Sequence, residues 1–331
     1  MSLITNLGRN ETCWEETLYD LTPIDEVNGL RFKREDKYAP LGYGCINGSK
    51  LRQLVWLVNT YANADGSKKG LISGASVHSP QLSMGSAVAN HFGIDSTHVL
   101  GATSPTTAIR HPDVEMATWL GATFEYSKVA YNGALQSKVR ELLQTPQYAD
   151  YFYLEYGVSL DHRSHRAGDI EAFHRIGAEQ VRNIPECDTL IVPSGSCNSL
   201  VSVLYGIALF EPKIKKLALV EIGPNKRDWV RDRLMAIQAK CSFPVSTILD
   251  DGRYEVEYHD LHRSNYVTYG ETMNYTHGSI AFHPRYEGKV MTYMADRHPD
   301  YLNPDNIIWI VAGEASKEAL QSVLSKQGAT A

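Results

Sequence analysis

The sequence predicts an α/β protein built on mostly parallel sheets covered by helices on both faces. Two observations carry this. Short apolar runs alternate with helix-length amphipathic segments along most of the chain. The apolar runs are followed by Gly, Ser or Pro, as strands entering turns are. A chain of 331 residues, 43% hydrophobic and 21% charged, is long enough for a large core and usually divides in two.

The predicted strands, in order, are residues 70–74, 98–102, 151–154, 189–193, 217–222 and 307–312, each rich in Val, Ile, Leu or aromatics. Between them, helical spacing marks residues 83–92, 111–120, 134–143, 168–183 and 199–210. Strand–helix alternation of this kind implies βαβ crossovers. Residues 241–275 are polar, rich in Tyr and His and weakly periodic, and are expected to be irregular or antiparallel. No fixed-period repeat is visible.

No run of about 18 apolar residues suggests a membrane span. The first residues lack the basic and apolar regions of a secretory signal. Five cysteines, Cys13, Cys45, Cys187, Cys197 and Cys241, are scattered and form no CxxC. Reduced thiols and a cytoplasmic location are expected. A net charge of −6 offers no general basic footprint for nucleic acid. His162, His165 and His174 lack the spacing of a zinc set, so no metal site is expected.

Open α/β sheets bind ligands beyond the carboxyl ends of their strands. One such turn reads Pro193-Ser194-Gly195-Ser196-Cys197-Asn198-Ser199 and opens a helix. Small residues let backbone N–H groups converge, and the helix start adds about half a positive charge. Phosphate binding and an ordinary capped helix start both fit it. A second segment, Gly44-Cys45-Ile46-Asn47-Gly48-Ser49-Lys50-Leu51-Arg52, places a lysine on a helix's first turn. The dipole opposes a cation there, which would lower the amine's pKa as Schiff-base chemistry requires. A solvated lysine is the alternative.

These segments combine into a family resemblance. Lys33-Arg34-Glu35-Asp36 and Asn47-Gly48-Ser49-Lys50-Leu51-Arg52 resemble the KRED and GNKxRK blocks of fold-type II pyridoxal-5′-phosphate (PLP) enzymes, those with the tryptophan-synthase-β-like fold. Ser73-Gly74-Ala75-Ser76-Val77-His78-Ser79-Pro80-Gln81 is similar to the family's GGxQSNHxR loop. Glu155-Tyr156-Gly157 through Ala178-Glu179-Gln180, and His283-Pro284-Arg285-Tyr286-Glu287-Gly288-Lys289, match two further blocks, the second of them DPVYxGK. The pattern is nearest the 1-aminocyclopropane-1-carboxylate deaminases and D-cysteine desulfhydrases.

The resemblance implies two open α/β domains: residues 1–50 with 156–331 as the large PLP-binding domain, and 51–155 as the small one. It implies that Lys50 carries PLP and that Gly195, Ser196, Cys197, Asn198 and Ser199 hold its phosphate. Ser79 falls at the substrate-loop serine and Tyr286 beside the cofactor. The family asparagine that contacts the PLP phenolic oxygen is Pro80 here, so Gln81 or His78 must substitute. The ring nitrogen is expected to face Glu271, with Glu314 as the competitor. The implied activity is a PLP-dependent lyase of the elimination or deamination type, acting at the α-carbon of a small amino-acid-like substrate, in a homodimer. A PLP-dependent decarboxylase acting on an amino-acid adduct of a modified phage DNA base is the alternative, and the one case in which nucleic acid would be a partner. A non-catalytic PLP-fold binding protein stands as the reading of another class. A serine hydrolase using Ser196 or Ser79 lacks any ordered triad.

Overall fold

All six predicted strands are strands in the computed structural model, which describes residues 17–326 apart from 44, 64–65, 102–103, 161–166 and 269. The chain opens with a hairpin, β1 (Ile24–Val27) and β2 (Leu30–Arg34), and then forms helix α1 (Ser49–Val58). A run of βα steps follows: β3 (Gly70–Ala75), α2 (Gln81–Phe92), β4 (Asp95–Gly101), α3 (Pro105–Ala108), α4 (Pro112–Trp119), β5 (Thr123–Ser127), α5 (Asn132–Leu142) and β6 (Tyr151–Leu154). Next come α6 (Ala167–Ala178), β7 (Cys187–Ser194), α7 (Asn198–Phe210), β8 (Ile214–Glu221), α8 (Arg227–Gln238) and β9 (Glu255–Asp260). A small hairpin, β10 (Thr276–His277) and β11 (Ile280–Ala281), precedes α9 (Glu287–Arg297), β12 (Ile307–Ile310) and α10 (Lys317–Lys326).

Two main sheets result. One has the order β1-β2-β12-β7-β8-β9 and the other β5-β4-β3-β6. Within these two sheets every pairing is parallel except β1 with β2, and the separate β10–β11 hairpin is antiparallel. Parallel strands need both faces covered, and β3 is buried at every residue. One apolar cluster links the sheets, joining Leu71 and Leu154 to Leu190 and Leu219.

The structure departs from the sequence expectation at several points, among them β5, which lies outside the predicted strands. Residues 241–275 contain β9, which runs parallel to β8 rather than antiparallel. Its sequence, Glu-Val-Glu-Tyr-His-Asp, is polar because an edge strand leaves side chains near water. The predicted helix 168–183 divides into α6 and a 3-10 segment, Glu179–Asn183. The β1–β2 hairpin turns on Asn28 and Gly29, with φ of 46° and 79°. Both lie in the left-handed region, as a type I′ turn requires.

A buried polar network fixes α1 against the large sheet. Arg52, fully buried, pairs with buried Glu35 at 3.3 Å, donates to Leu18 O at 2.7 Å and lies 3.5 Å from the Tyr38 ring centroid. Thr22 Oγ1 donates to the other oxygen of Glu35. Removing one partner strands the other's charge, which costs about 3–5 kcal/mol, against about 0–1 kcal/mol for an exposed pair. Arg52→Met should therefore lower the urea midpoint sharply, whereas Lys138→Met, which breaks a surface pair with Glu141, should barely move it. Equal effects would show that the network does not anchor α1.

Candidate active site

Lys50 owes its place to the turn before it. Ser49 N donates to Val311 O at 2.8 Å, Gly313 N to Asn47 Oδ1 at 2.8 Å, and Gly48 N to Tyr38 O at 3.0 Å. Gly48 has a φ of 109°, and a Cβ there would stand 2.6 Å from the Ala312 Cβ, so only glycine fits. α1 thus starts against the end of β12. Lys50 lines a cavity of about 50 Å³ together with Gly195, Ser196, Ile222, Tyr286, Glu287 and Ala312. Its Nζ lies 5.9 Å from the Tyr286 ring centroid. Burial, reinforced by the nearby Lys226 charge, lowers the amine to about 8.

The turn after β7 forms the opposite wall. Cys197 is the N-cap of α7, with φ 73° and no side-chain cap, so this 13-residue helix presents its first N–H groups without a capping oxygen. A Cβ on Gly195 would meet nothing closer than Ile222 Cδ1 at 3.5 Å. Ser199 Oγ lies 2.8 Å from Ser49 Oγ, which brings the starts of α1 and α7 side by side. Asn198 instead serves a neighbouring turn, donating to Gly157 O at 3.0 Å. The structure brings in a cation, Lys226, that the sequence marks only as part of a short basic stretch of solvated surface. Lys226, from the turn after β8, acts on both Lys50 and Cys197 electrostatically. Its position beyond the carboxyl end of a strand was the available signal.

The buried acid of this cavity is Glu287. Its Oε1 accepts from Val311 N at 2.8 Å, and its Oε2 is buried without a hydrogen-bond partner. Burial raises its carboxyl to about 8. The two glutamates expected here lie elsewhere. Glu271 is exposed and accepts from Thr268 N at 2.6 Å. Glu314 lines an adjoining cavity with Asp113 and Arg285, away from Lys50. Glu287 sits inside the matched His283–Lys289 block, directly after Tyr286, where its position was legible.

Ser79 lines the Lys50 cavity, and its Oγ accepts from Gln81 N at 3.3 Å. Gln81 also lines it, but its amide is engaged with Glu155 O at 3.0 Å and Gly157 N at 2.8 Å. It therefore fixes the turn that follows β6 instead of standing in for the family asparagine. His78 stacks edge-on against His111 at 4.4 Å, and burial, with Arg285 and His111 adding to it, lowers it to about 4. Ser79, Gln81, Tyr286 and Lys50 also line a wider adjoining cavity of about 250 Å³, with Tyr156 and Arg285 on its walls.

Other lysines of the matched blocks are committed elsewhere. Lys33 Nζ donates to Thr22 O at 2.8 Å and Asn183 Oδ1 at 2.7 Å, and Lys289 Nζ donates to Thr268 O at 2.9 Å. His174 is buried against Ser202 Oγ at 3.0 Å, while His162 and His165 lie outside the described residues.

A desolvated amine, a helix start awaiting an anion, and a buried carboxyl with one open oxygen match the aldehyde, phosphate and ring nitrogen of PLP. The residues fit that cofactor. No family model matches the sequence. A curated protein of Salmonella phage ViI, "O-seryl-dTMP PLP-dependent decarboxylase", is 38% identical over a 373-residue alignment covering 96% of this chain and 88% of the relative. Among solved structures, an ACC deaminase homologue matches with a TM-score of 0.65 at 16% identity, covering 92% of this chain and 94% of that one. Threonine deaminase isoform 2 of Solanum lycopersicum matches at 0.58 and 14%, covering 95% and 85%, and maize serine racemase at 0.52 and 14%, covering 92% of each. These neighbours show the fold-type II architecture.

The Glu287 carboxyl makes ligand-free stability depend on pH. Its folded value, about 8, lies above the unfolded 4.5. Its contribution is therefore whole below pH 4.5 and is lost as pH rises through 8, at up to about 1.4 kcal/mol per pH unit. Urea melts of ligand-free wild type should weaken from pH 5 to 8 more than those of Glu287→Gln. Parallel pH profiles would place the Glu287 proton elsewhere.

Proposed function

Because the chain belongs to the family of the PLP-dependent O-seryl-dTMP decarboxylase, on the fold-type II PLP architecture, we propose that it is a PLP-dependent decarboxylase acting on an amino-acid adduct of a nucleotide base. The observation that carries the reaction type is the 38% identity over 96% of the chain. It favours decarboxylation over the elimination or deamination type that the deaminase-like motifs suggest.

The residues present suit this chemistry. When bound, PLP supplies an electron sink for the charge left on the substrate's α-carbon. The N–H groups at the start of α7 would hold the phosphate, and the buried Glu287 carboxyl would face the ring nitrogen. Lys50 Nζ, lowered to about 8, would be the amine that holds the cofactor and could carry a proton to carbon near neutral pH. Pro193, Leu200, Ile222 and Val311 give the cavity apolar walls. Such walls strip water from a carboxylate and favour its departure as neutral CO2.

Room for a large substrate lies next door. Past Tyr156 and Ser196 a further cavity of about 440 Å³ is lined by Arg140, Lys226, Trp229 and Arg233. Lys226 Nζ lies 5.3 Å from the Tyr156 ring centroid and 5.9 Å from that of Trp229. Cations beside aromatic faces suit a phosphate and a base, although the chain as a whole is acidic. Among the described residues no helix is long and apolar enough to cross a membrane. That and the free thiols Cys45, Cys187, Cys197 and Cys241 are in keeping with a cytoplasmic enzyme.

The test is product analysis on PLP-loaded protein given a seryl adduct of a pyrimidine nucleotide. CO2 should be released without ammonia or keto acid. Lys50→Ala should cut the rate about 100- to 10,000-fold. Ammonia and keto acid without CO2 would return the assignment to elimination.

A further inference from the structure

The strand β9 carries a cluster that the PLP chemistry does not use. Glu257 and His259 are two residues apart on one strand, so their side chains leave the same face. His298, just past the end of α9, joins them, and one ligand atom from each of the three lies within 4.8 Å of the others. Among the described residues it is the one such group of three.

The detail of the cluster is that of a metal site. His259 is 4% exposed, and its Nε2 is buried without a hydrogen-bond partner. That nitrogen faces Glu257 Oε1 at 3.3 Å. Two ligands on arms of about 2.0–2.1 Å in a tetrahedral site stand about 3.3–3.4 Å apart. The remaining atoms are braced as outer partners brace metal ligands. Tyr301 O–H donates to Glu257 Oε2, with Lys216 Nζ at 3.4 Å from the same oxygen. Tyr293 O–H lies 3.0 Å from His298 Nε2 and 3.5 Å from His259 Nδ1. The two imidazoles meet edge to face at 4.6 Å. Lys216 does not make the surroundings cationic, because Glu255 lies 3.0 Å from it and leaves one net negative charge with Glu257.

We propose that Glu257, His259 and His298 bind one divalent transition-metal ion of the zinc class, with water completing the tetrahedron. Two imidazoles and a carboxylate select such an ion over magnesium or calcium, which take oxygen ligands. The ion ties the edge strand β9, hydrogen-bonded only to β8, to the turn after α9. None of the three residues lines the cavities that hold Lys50.

The experiment strips the PLP-loaded protein with a chelator, then titrates it with Zn²⁺ alone in competition with a chromophoric chelator. One equivalent per chain should bind, and the melting temperature should rise with Zn²⁺ as expected of a ligand that binds only the folded state. Substituting Co²⁺ should give the visible bands of a tetrahedral N/O site. Half-buried His298 permits a mild variant: His298→Gln should stay folded by circular dichroism and weaken binding at least 10-fold. Glu257→Gln should do the same, while the catalytic rate with saturating PLP stays within twofold. Absence of the Zn²⁺ equivalent, or an equivalent that survives both variants unchanged, would overturn the site.

Discussion

The peptide segment leaving β12 holds the active site together. The N–H of Val311 is taken by the Glu287 carboxyl, its carbonyl by Ser49 N, and the N–H of Gly313 by Asn47. One short piece of backbone thus sets the distance between the amine on α1 and the acid on α9. Gly48 can lie on Ala312 only because it has no Cβ. The contact is short-range and steric, so it tolerates little drift. The buried Arg52–Glu35 pair keeps the far side of α1 from moving.

Desolvation then gives both groups their chemistry. It pushes the Lys50 amine down and the Glu287 carboxyl up, each to about 8. An amine near neutrality can act as nucleophile and proton carrier, and a buried acid can present a hydrogen bond to a ring nitrogen. The open Glu287 oxygen and the uncapped start of α7 cost stability while nothing meets them. A ligand offering both a phosphate and a ring nitrogen offsets those costs together.

The sheets were legible because buried parallel strands are continuous apolar runs, as at residues 189–193 and 217–222. β9 was not, because Glu255-Val256-Glu257-Tyr258-His259-Asp260 has a single aliphatic residue among charged and polar ones and so forms no apolar run. That Lys50 and the turn at Gly195–Ser199 line one cavity follows local constraint in the sequence: a lysine after Asn-Gly-Ser, and small residues between strand and helix. The buried acid of the Lys50 cavity is not reached by counting from a Tyr-Gly pair. Glu271 has the right neighbours in sequence but faces water, whereas Glu287 is selected by its burial and by Val311, 24 residues away. Gln81 looked available for the cofactor because nothing in the sequence shows that the backbone at Glu155 and Gly157 occupies its amide. Lys226 and the Glu257–His259–His298 group escaped for the same reason, since their partners come from elements far apart in the chain.

The central claim is that Lys50, and not Lys33, Lys226 or Lys289, bonds to the cofactor. Reduction of the PLP-loaded protein with borohydride, followed by peptide mapping, tests it most directly. The account predicts phosphopyridoxyl label on the peptide containing Lys50 and none on Lys33, whose amine is engaged with Thr22 and Asn183, or on Lys289, held by Thr268. Label on Lys33, Lys289 or Lys226, with Lys50 unmodified, would contradict it.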